Sequence, residues 1–264
     1  MLLYKELTGT IIGAYYAVYN GTSRTYPEYI YESAMLIELR KRGVPCRRQE
    51  EYQVFYKDKL VGLQRLDLFV AGEVCVELKA VPSLLPIHKA QAISYLKIVD
   101  KRVGLLFNFG SPESEFERLY FERRSPRNDP TGRLRALPEF PDSYLSPELT
   151  YEIVGGLFEV HSTLGPGFIH RIYTNACYHE LQLRGLEVRP RKTYQVIYRG
   201  YPVGEIRFGH LLVNGSAFVF PVAIQDVNDI HITNLKAWMR LQHIPIAILA
   251  NFHDTSLRPI VLRI

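Results

Sequence analysis

Apolar positions recur at helical spacing over residues 6–20, at Leu7, Ile11, Ala14, Tyr15 and Val18, and predict a helix that Gly21-Thr22-Ser23 ends. Pro27 opens a second helix, with Glu28 in its first turn, and Gly43 stops it. The period then shortens to two. Residues 52–56 and 60–70, joined by Lys57-Asp58-Lys59, predict a hairpin, and 74–81 is apolar and β-branched enough for a buried central strand. Residues 86–99 predict a helix with Gln91 and Tyr95 one turn apart on one face. A second buried strand is expected at 103–109 and an edge strand at 118–122. Across 123–147 the pattern dissolves into prolines and arginines and reads as a linker.

After the linker the chain repeats itself. Tyr52-Gln53-Val54 returns as Tyr194-Gln195-Val196 and Val61-Gly62 as Val203-Gly204, a shift of 142 positions. His88 returns as His231 and Asn108-Phe109 as Asn251-Phe252, a shift of 143, so one residue is inserted near position 209. The expected organisation is two copies of one domain, 1–122 and 148–264, around the linker 123–147.

The copies differ where the charges lie. Glu77 and Lys79 are two residues apart on a buried strand, hence on one face, and desolvating each costs roughly several kcal/mol unless they pair or bind something. In the second copy Glu28 becomes His170, Asp67 becomes Gly209 or His210, and Glu77 becomes Phe220. Lys79 becomes Val222, Gln91 becomes Asn234 and Tyr95 becomes Trp238. The fold can therefore be built without these polar groups. Chemistry suited to the first-copy set is phosphodiester hydrolysis. Asp67 and Glu77, on neighbouring strands, offer oxygen ligands to a hard cation such as Mg²⁺, which polarises a phosphoryl oxygen and acidifies a bound water. Lys79 orients or helps deprotonate that water and neutralises charge on the phosphate. Glu28 adds a ligand through water, Gln91 holds the water or a phosphate, and Tyr95 either packs beneath the site or touches substrate.

The ordered set Gly62…Asp67, Glu77-Leu78-Lys79 and Gln91…Tyr95 resembles the G…D, E-x-K and Q-x-x-x-Y motifs of RecB-type PD-(D/E)XK nucleases. More closely, Glu28…Tyr31, Val76…Ala80, Gln91…Lys97 and Gly104…Gly110 resemble the GxxExxY group within that superfamily. The resemblance covers nearly all of 6–122 and, weakened, 149–264. It implies an α/β chain of two tandem restriction-endonuclease-like domains, each a mixed central sheet flanked by helices with core order α-β-β-β-α-β. It also implies Mg²⁺, with Mn²⁺ as a substitute, held by Asp67, Glu77 and the backbone carbonyl of Leu78, with Lys79 catalytic. One motif departs: the G-x-G ahead of the second helix survives as Gly165-Pro166-Gly167 in the second copy, whereas the first has Ser23-Arg24-Thr25. That difference bears on how Glu28 is placed.

Composition narrows the setting. With 47% apolar and 22% charged residues and no apolar run near the ~18–20 that a bilayer requires, the 264 residues describe a soluble globular protein. No basic-then-apolar leader opens the chain, and Cys46, Cys75 and Cys177 are scattered, which together lead us to expect a cytoplasmic protein without a thiolate zinc site. A net charge of +5 suits a polyanionic partner. The expected function is a metal-dependent nuclease acting on nucleic acid, DNA before RNA, with one active site in the first copy. The second copy is then a silent partner standing where the other subunit of a homodimer would stand. Its Arg184, Arg189, Arg191, Lys192 and Arg199 form either a DNA-binding surface or a solvated basic face. His170 and His210 are either packed histidines or a rebuilt metal site, and Asp226 and Asp229 read as a loop and a helix cap. The alternative function is a non-catalytic nucleic-acid-binding or protein-interaction module that keeps the nuclease fold.

Overall fold

Strand β3 (Val74–Lys79) is buried on both faces along almost its whole length, as its unbroken apolar pattern requires. In the computed structural model, which describes residues 3–122, 146–226, 230 and 232–264, it is the middle strand of a five-stranded sheet. The elements before it are α1 (Lys5–Gly21), α2 (Glu28–Lys41), β1 (Cys46–Tyr56) and β2 (Lys59–Val70). After it come α3 (Pro86–Ile98), β4 (Val103–Asn108) and β5 (Glu115–Tyr120). The sheet order is β1-β2-β3-β4-β5, with β3 antiparallel to β2 and parallel to β4, and β4 antiparallel to β5. A parallel pair needs a long crossover, and α3 supplies it.

Alternation along β3 sorts its side chains. Val74, Val76 and Leu78 join Leu68, Val70, Leu105 and Phe107 under α1 and α2, in a core closed by Tyr15 and Tyr31. Tyr15 stacks on Phe107 and Tyr31 on Phe109, each with ring centroids 4.4 Å apart. Cys75, Glu77 and Lys79 are left for the opposite face, the one that α3 covers.

The second half repeats these elements: α4 (Pro147–Leu164), α5 (His170–Leu183), β6 (Val188–Tyr198), β7 (Tyr201–Val213), β8 (Ala217–Val222), α6 (Ile232–Leu241), β9 (Ile246–Asn251) and β10 (Ile260–Arg263). Its sheet runs β10-β9-β8-β7-β6, again mixed, with β8 parallel to β9 and the other neighbouring pairs antiparallel. Tyr173 stacks on Phe252 as Tyr31 does on Phe109. Buried Asn108 and Asn251 pin the chain in the same way: Asn108 Oδ1 accepts from Val81 N and Gly110 N, and Asn251 Oδ1 from Ile224 N and His253 N. Thus the expected class, two α/β domains each with a mixed sheet flanked by helices, is the observed one.

Among the described residues, one compact unit takes 3–54 and 63–122, and the other takes 55–62 together with the residues from 146 onward. Most of the expected linker, 123–145, and also Asp229 and His231 lie outside the described residues. Helix α4 begins at Pro147, where a first-turn proline costs nothing because its missing N–H would be unpaired anyway. Strand β1 starts six residues ahead of the expected 52. Its first half is too polar to alternate, and the charges pair locally, Arg47 with Glu50 at 2.7 Å and Arg65 of β2 with Glu51 at 2.9 Å. The residue inserted near 209 is absorbed in β7. Between the pairs Arg191↔His210 and Thr193↔Arg207, Phe208 and Gly209 face the single residue Lys192, which is a β-bulge.

Candidate active site

The ladder between β2 and β3 runs from Val70↔Val74 to Leu68↔Val76 and then opens. Asp67 sits at that opening and Glu77 faces it from β3, on the same side of the sheet. A buried N–H freed by the gap must find an acceptor, and Leu78 N donates to Asp67 Oδ2 at 2.8 Å. Two residues beyond Glu77 along the strand, Lys79 Nζ donates to Glu77 Oε1 at 2.7 Å. Glu28 reaches the same place from the first turn of α2, its Oε1 accepting from Ala80 N at 3.3 Å.

Loss of the G-x-G does not change how this helix start is braced. Tyr31 Oη donates to Ser23 O and accepts from Tyr26 N, as Tyr173 Oη donates to Gly165 O and accepts from Phe168 N. In the second unit Gly165 and Gly167 have positive φ, whereas no residue of Ser23-Arg24-Thr25 does. The tyrosine carries the brace in both, and with it the first turn that bears Glu28.

Electrostatically the four charged groups form one cluster. Burial, followed by the charge of Glu77, pushes Asp67 up to about 8, against the pull of Leu78 N–H and Lys79. Glu77 is buried and also raised, chiefly by desolvation, with Lys79 opposing. For Lys79 desolvation works downward, but Glu77, Glu28 and Asp67 together hold it above the ordinary lysine value. Lys79 is therefore an ammonium at neutral pH. The 2.7 Å contact with Lys79 favours the ionised form of Glu77 against its burial, and among the described residues Asp67 has no such cation in hydrogen-bond contact. Glu77 Oε2 is buried with no hydrogen-bond partner among the described residues. Among those residues no three His, Cys, Asp or Glu side chains are arranged closely enough to hold a metal ion between them as they stand.

Gln91 and Tyr95 lie on α3, and Tyr95 lines the same small pocket as Glu77. Gln91 Nε2 donates to Tyr95 Oη at 2.6 Å and Gln64 Nε2 to the same oxygen at 3.1 Å, so the buried tyrosine ties α3 to β2. Three groups that the pattern did not single out support the site. Glu32, one turn after Glu28, is buried, accepts from Gln49 Nε2 at 2.8 Å and adds to the negative field at Asp67. Its i,i+4 spacing from Glu28 was the available signal. Asn108 holds Val81, just beyond Lys79. Gly110 lies against the same turn: a Cβ there would be 2.5 Å from Val81 N and 2.6 Å from Ala80 C. Gly110→Ala is expected to cost about 1–3 kcal/mol by overpacking, and to displace the end of β3. A thermal melt alongside the activity assay checks this, since both should fall together.

In the second unit the equivalent place is apolar. The β7–β8 ladder runs from Val213↔Ala217 to Leu211↔Val219, so His210, not Gly209, is the counterpart of Asp67. His210 is fully buried, stacks on Phe220 with centroids 5.1 Å apart, and is pulled down to about 4 by burial. His170, also lowered by burial, lies near it. Pro221 stands where Leu78 stands in the first unit. It has no N–H, so the acceptor that Asp67 provides has nothing to accept there. A cavity of about 440 Å³ lined by Tyr194, Phe208, Phe220 and Asn234 among others opens beside it. Of the basic residues expected to form a surface, Arg184 is held by Glu180 and Glu152 and Arg189 by Glu187, while Arg191, Lys192 and Arg199 are exposed.

No helix among the described residues is long and apolar enough to cross a membrane. A family model described as the PD-(D/E)XK nuclease superfamily matches residues 5–119 and again 147–264. No curated protein and no solved structure matches the chain.

Proposed function

The chain belongs to the PD-(D/E)XK nuclease superfamily, and we propose that its first unit is a divalent-metal-dependent nuclease acting on DNA, with the second unit a non-catalytic partner. The observation that supports this most is the clustering of Asp67, Glu77 and Lys79 on one face of a buried sheet, with Glu28 reaching in from α2. The second unit replaces all four.

The residues present suit a hard cation. Glu77 Oε2 is a buried carboxylate oxygen without a hydrogen-bond partner among the described residues, and burial, followed by the negative charge of Glu77, pushes Asp67 up to about 8. Both features describe a site short of positive charge. Asp67, Glu77 and the Leu78 carbonyl would hold Mg²⁺ or Mn²⁺, which when bound supplies Lewis-acid polarisation of a phosphoryl oxygen and a more acidic water. Lys79, ionised and anchored by Glu77, brings a fixed positive charge to the phosphate and stabilises the negative charge that develops during attack. Its raised pKa makes it a donor and an orienting group, and leaves proton abstraction to other groups. Glu28, next to Ala80 N at the rim, is placed to take a hydrogen bond from water. Gln91 and Tyr95 act as positioning residues, through the packing of α3 against β2.

Incubation with single- and double-stranded DNA and RNA, in Mg²⁺, in Mn²⁺ and in EDTA, tests the proposal. Cleavage of DNA that depends on the ion is expected. Binding of nucleic acid with no cleavage of any substrate would leave the fold as a binding module instead.

A further inference from the structure

The segment 55–62, which belongs to the second compact unit, makes a specific contact with α5. Tyr56 Oη donates to Glu180 Oε2 at 2.8 Å and Lys57 Nζ to the same oxygen at 2.6 Å. Asn175 Nδ2 donates to Val61 O at 2.8 Å, and Gly62 lies so close to Ile172 that a Cβ would sit 2.7 Å from its Cγ1. Glu180 is steadied from the other side by Arg184, at 2.9 Å.

The repeat supplies a second tip and a second seat. The tip residues Tyr56, Lys57, Val61 and Gly62 recur as Tyr198, Arg199, Val203 and Gly204. The seat residues Ile172, Glu180 and Arg184 correspond to Ile30, Glu38 and Arg42 of α2, with Glu38 and Arg42 3.7 Å apart. Among the described residues the second tip is not seated as the first is, and Glu38 and Arg42 make only local contacts on α1 and α2. Tyr56 and Val61 are 0% and 2% exposed, whereas Tyr198 and Val203 are both 61% exposed. Beside Glu38 on α2, Ile37 is exposed as well. Gly204 has no atom within 4 Å of where a Cβ would go and no positive φ, so nothing in its own surroundings calls for glycine. A contact like that of Gly62 on isoleucine would.

We propose that the Tyr198–Gly204 tip of one chain seats on α2 of a second copy. Tyr198 and Arg199 engage Glu38, Val203 is covered, and Gly204 packs on Ile30. The charges match, Arg199 against Glu38 repeating Lys57 against Glu180. Glu38 is at present held by Lys41 at 3.1 Å in a surface pair, which is weak enough to be exchanged. Each chain carries one free tip and one free seat, so the contact is heterologous and runs head to tail, closing into a ring or growing on.

Sedimentation velocity across about 5–200 µM reads the association directly. The wild-type mass is expected to rise with concentration. Gly204→Leu should stay at the mass of one chain with an unchanged melting temperature, because its side chain enters open space in the isolated chain. Arg199→Glu should move the midpoint at least tenfold upward, and adding Glu38→Arg to that chain should bring it back. A wild type that holds single-chain mass throughout, or a Gly204→Leu variant that associates like it, would overturn the proposal.

Discussion

Replacing Lys79 by alanine is expected to lower metal-dependent cleavage by about 10²–10³-fold, the usual loss when one preorganised donor to the developing charge is removed. The effect should fall on the chemical step, read as kcat under single-turnover conditions, with substrate binding changed far less. The same substitution leaves Glu77 buried without its ammonium partner. Breaking a buried pair from one side costs roughly 3–5 kcal/mol unless the remaining acid takes up a proton. Lys79→Ala should therefore melt at lower temperature in EDTA, and Lys79→Ala/Glu77→Gln should recover part of that loss without recovering activity. The double variant reads the folding cost alone, because Glu77→Gln also removes a proposed metal ligand. The chemical role is read from the single variant, and Lys79→Ala that cleaves as fast as the wild type below its melting temperature would leave Lys79 no role beyond neutralising Glu77.

Asp67→Asn is expected to do two opposite things. In the wild type the folded carboxyl titrates at about 8, against about 3.9 for an unfolded aspartate. Between those values the native state holds a proton that the unfolded chain has released. Stability in EDTA therefore falls as pH rises from about 4 to about 8 and levels off above, with a limiting slope of about 1.4 kcal/mol per unit. Asparagine keeps an oxygen for Leu78 N–H and needs no proton, so the variant should lose this slope and become the more stable protein at pH 8, by on the order of 2 kcal/mol or more. Ion binding and cleavage should be lost with it. In the wild type, raising the pH should tighten ion binding, because the ion displaces the proton of Asp67. Urea unfolding at pH 5, 6, 7 and 8, with and without Mg²⁺, measures both effects. Parallel pH slopes for the two proteins would place the proton elsewhere.

Much of this was legible because apolar spacing and the internal repeat are chain-level signals. The helices, the buried strands and the pairing of Glu77 with Lys79 on one face follow from period alone. What stayed out of reach depends on neighbours distant in sequence. The polar first half of β1 carries no alternation, and the ion pair that links it to β2, Arg65 with Glu51, joins residues that no periodicity connects. The counterpart of Asp67 was undecided between Gly209 and His210, because an insertion has no position until a ladder assigns one. Spacing puts Gln91 and Tyr95 on one helix face and leaves open whether Tyr95 packs beneath the site or touches substrate. Their bond to each other and to Gln64 shows what spacing leaves out, namely the direction in which a side chain points. Asn108 shows the reverse case: a single buried amide, unremarkable in composition, organises the turn just past Lys79.

Pro221 sets the second unit apart from the first at the point where Leu78 N–H meets Asp67. With no N–H at that point of β8, an aspartate at position 210 would lack the backbone donor that Leu78 gives Asp67, and a glutamate at 220 would be set against the aromatic cluster around Trp238. Building the first unit's charged set into the second would therefore take several changes made together, since each alone places a polar group in a packed apolar setting without the partner it has in the first unit.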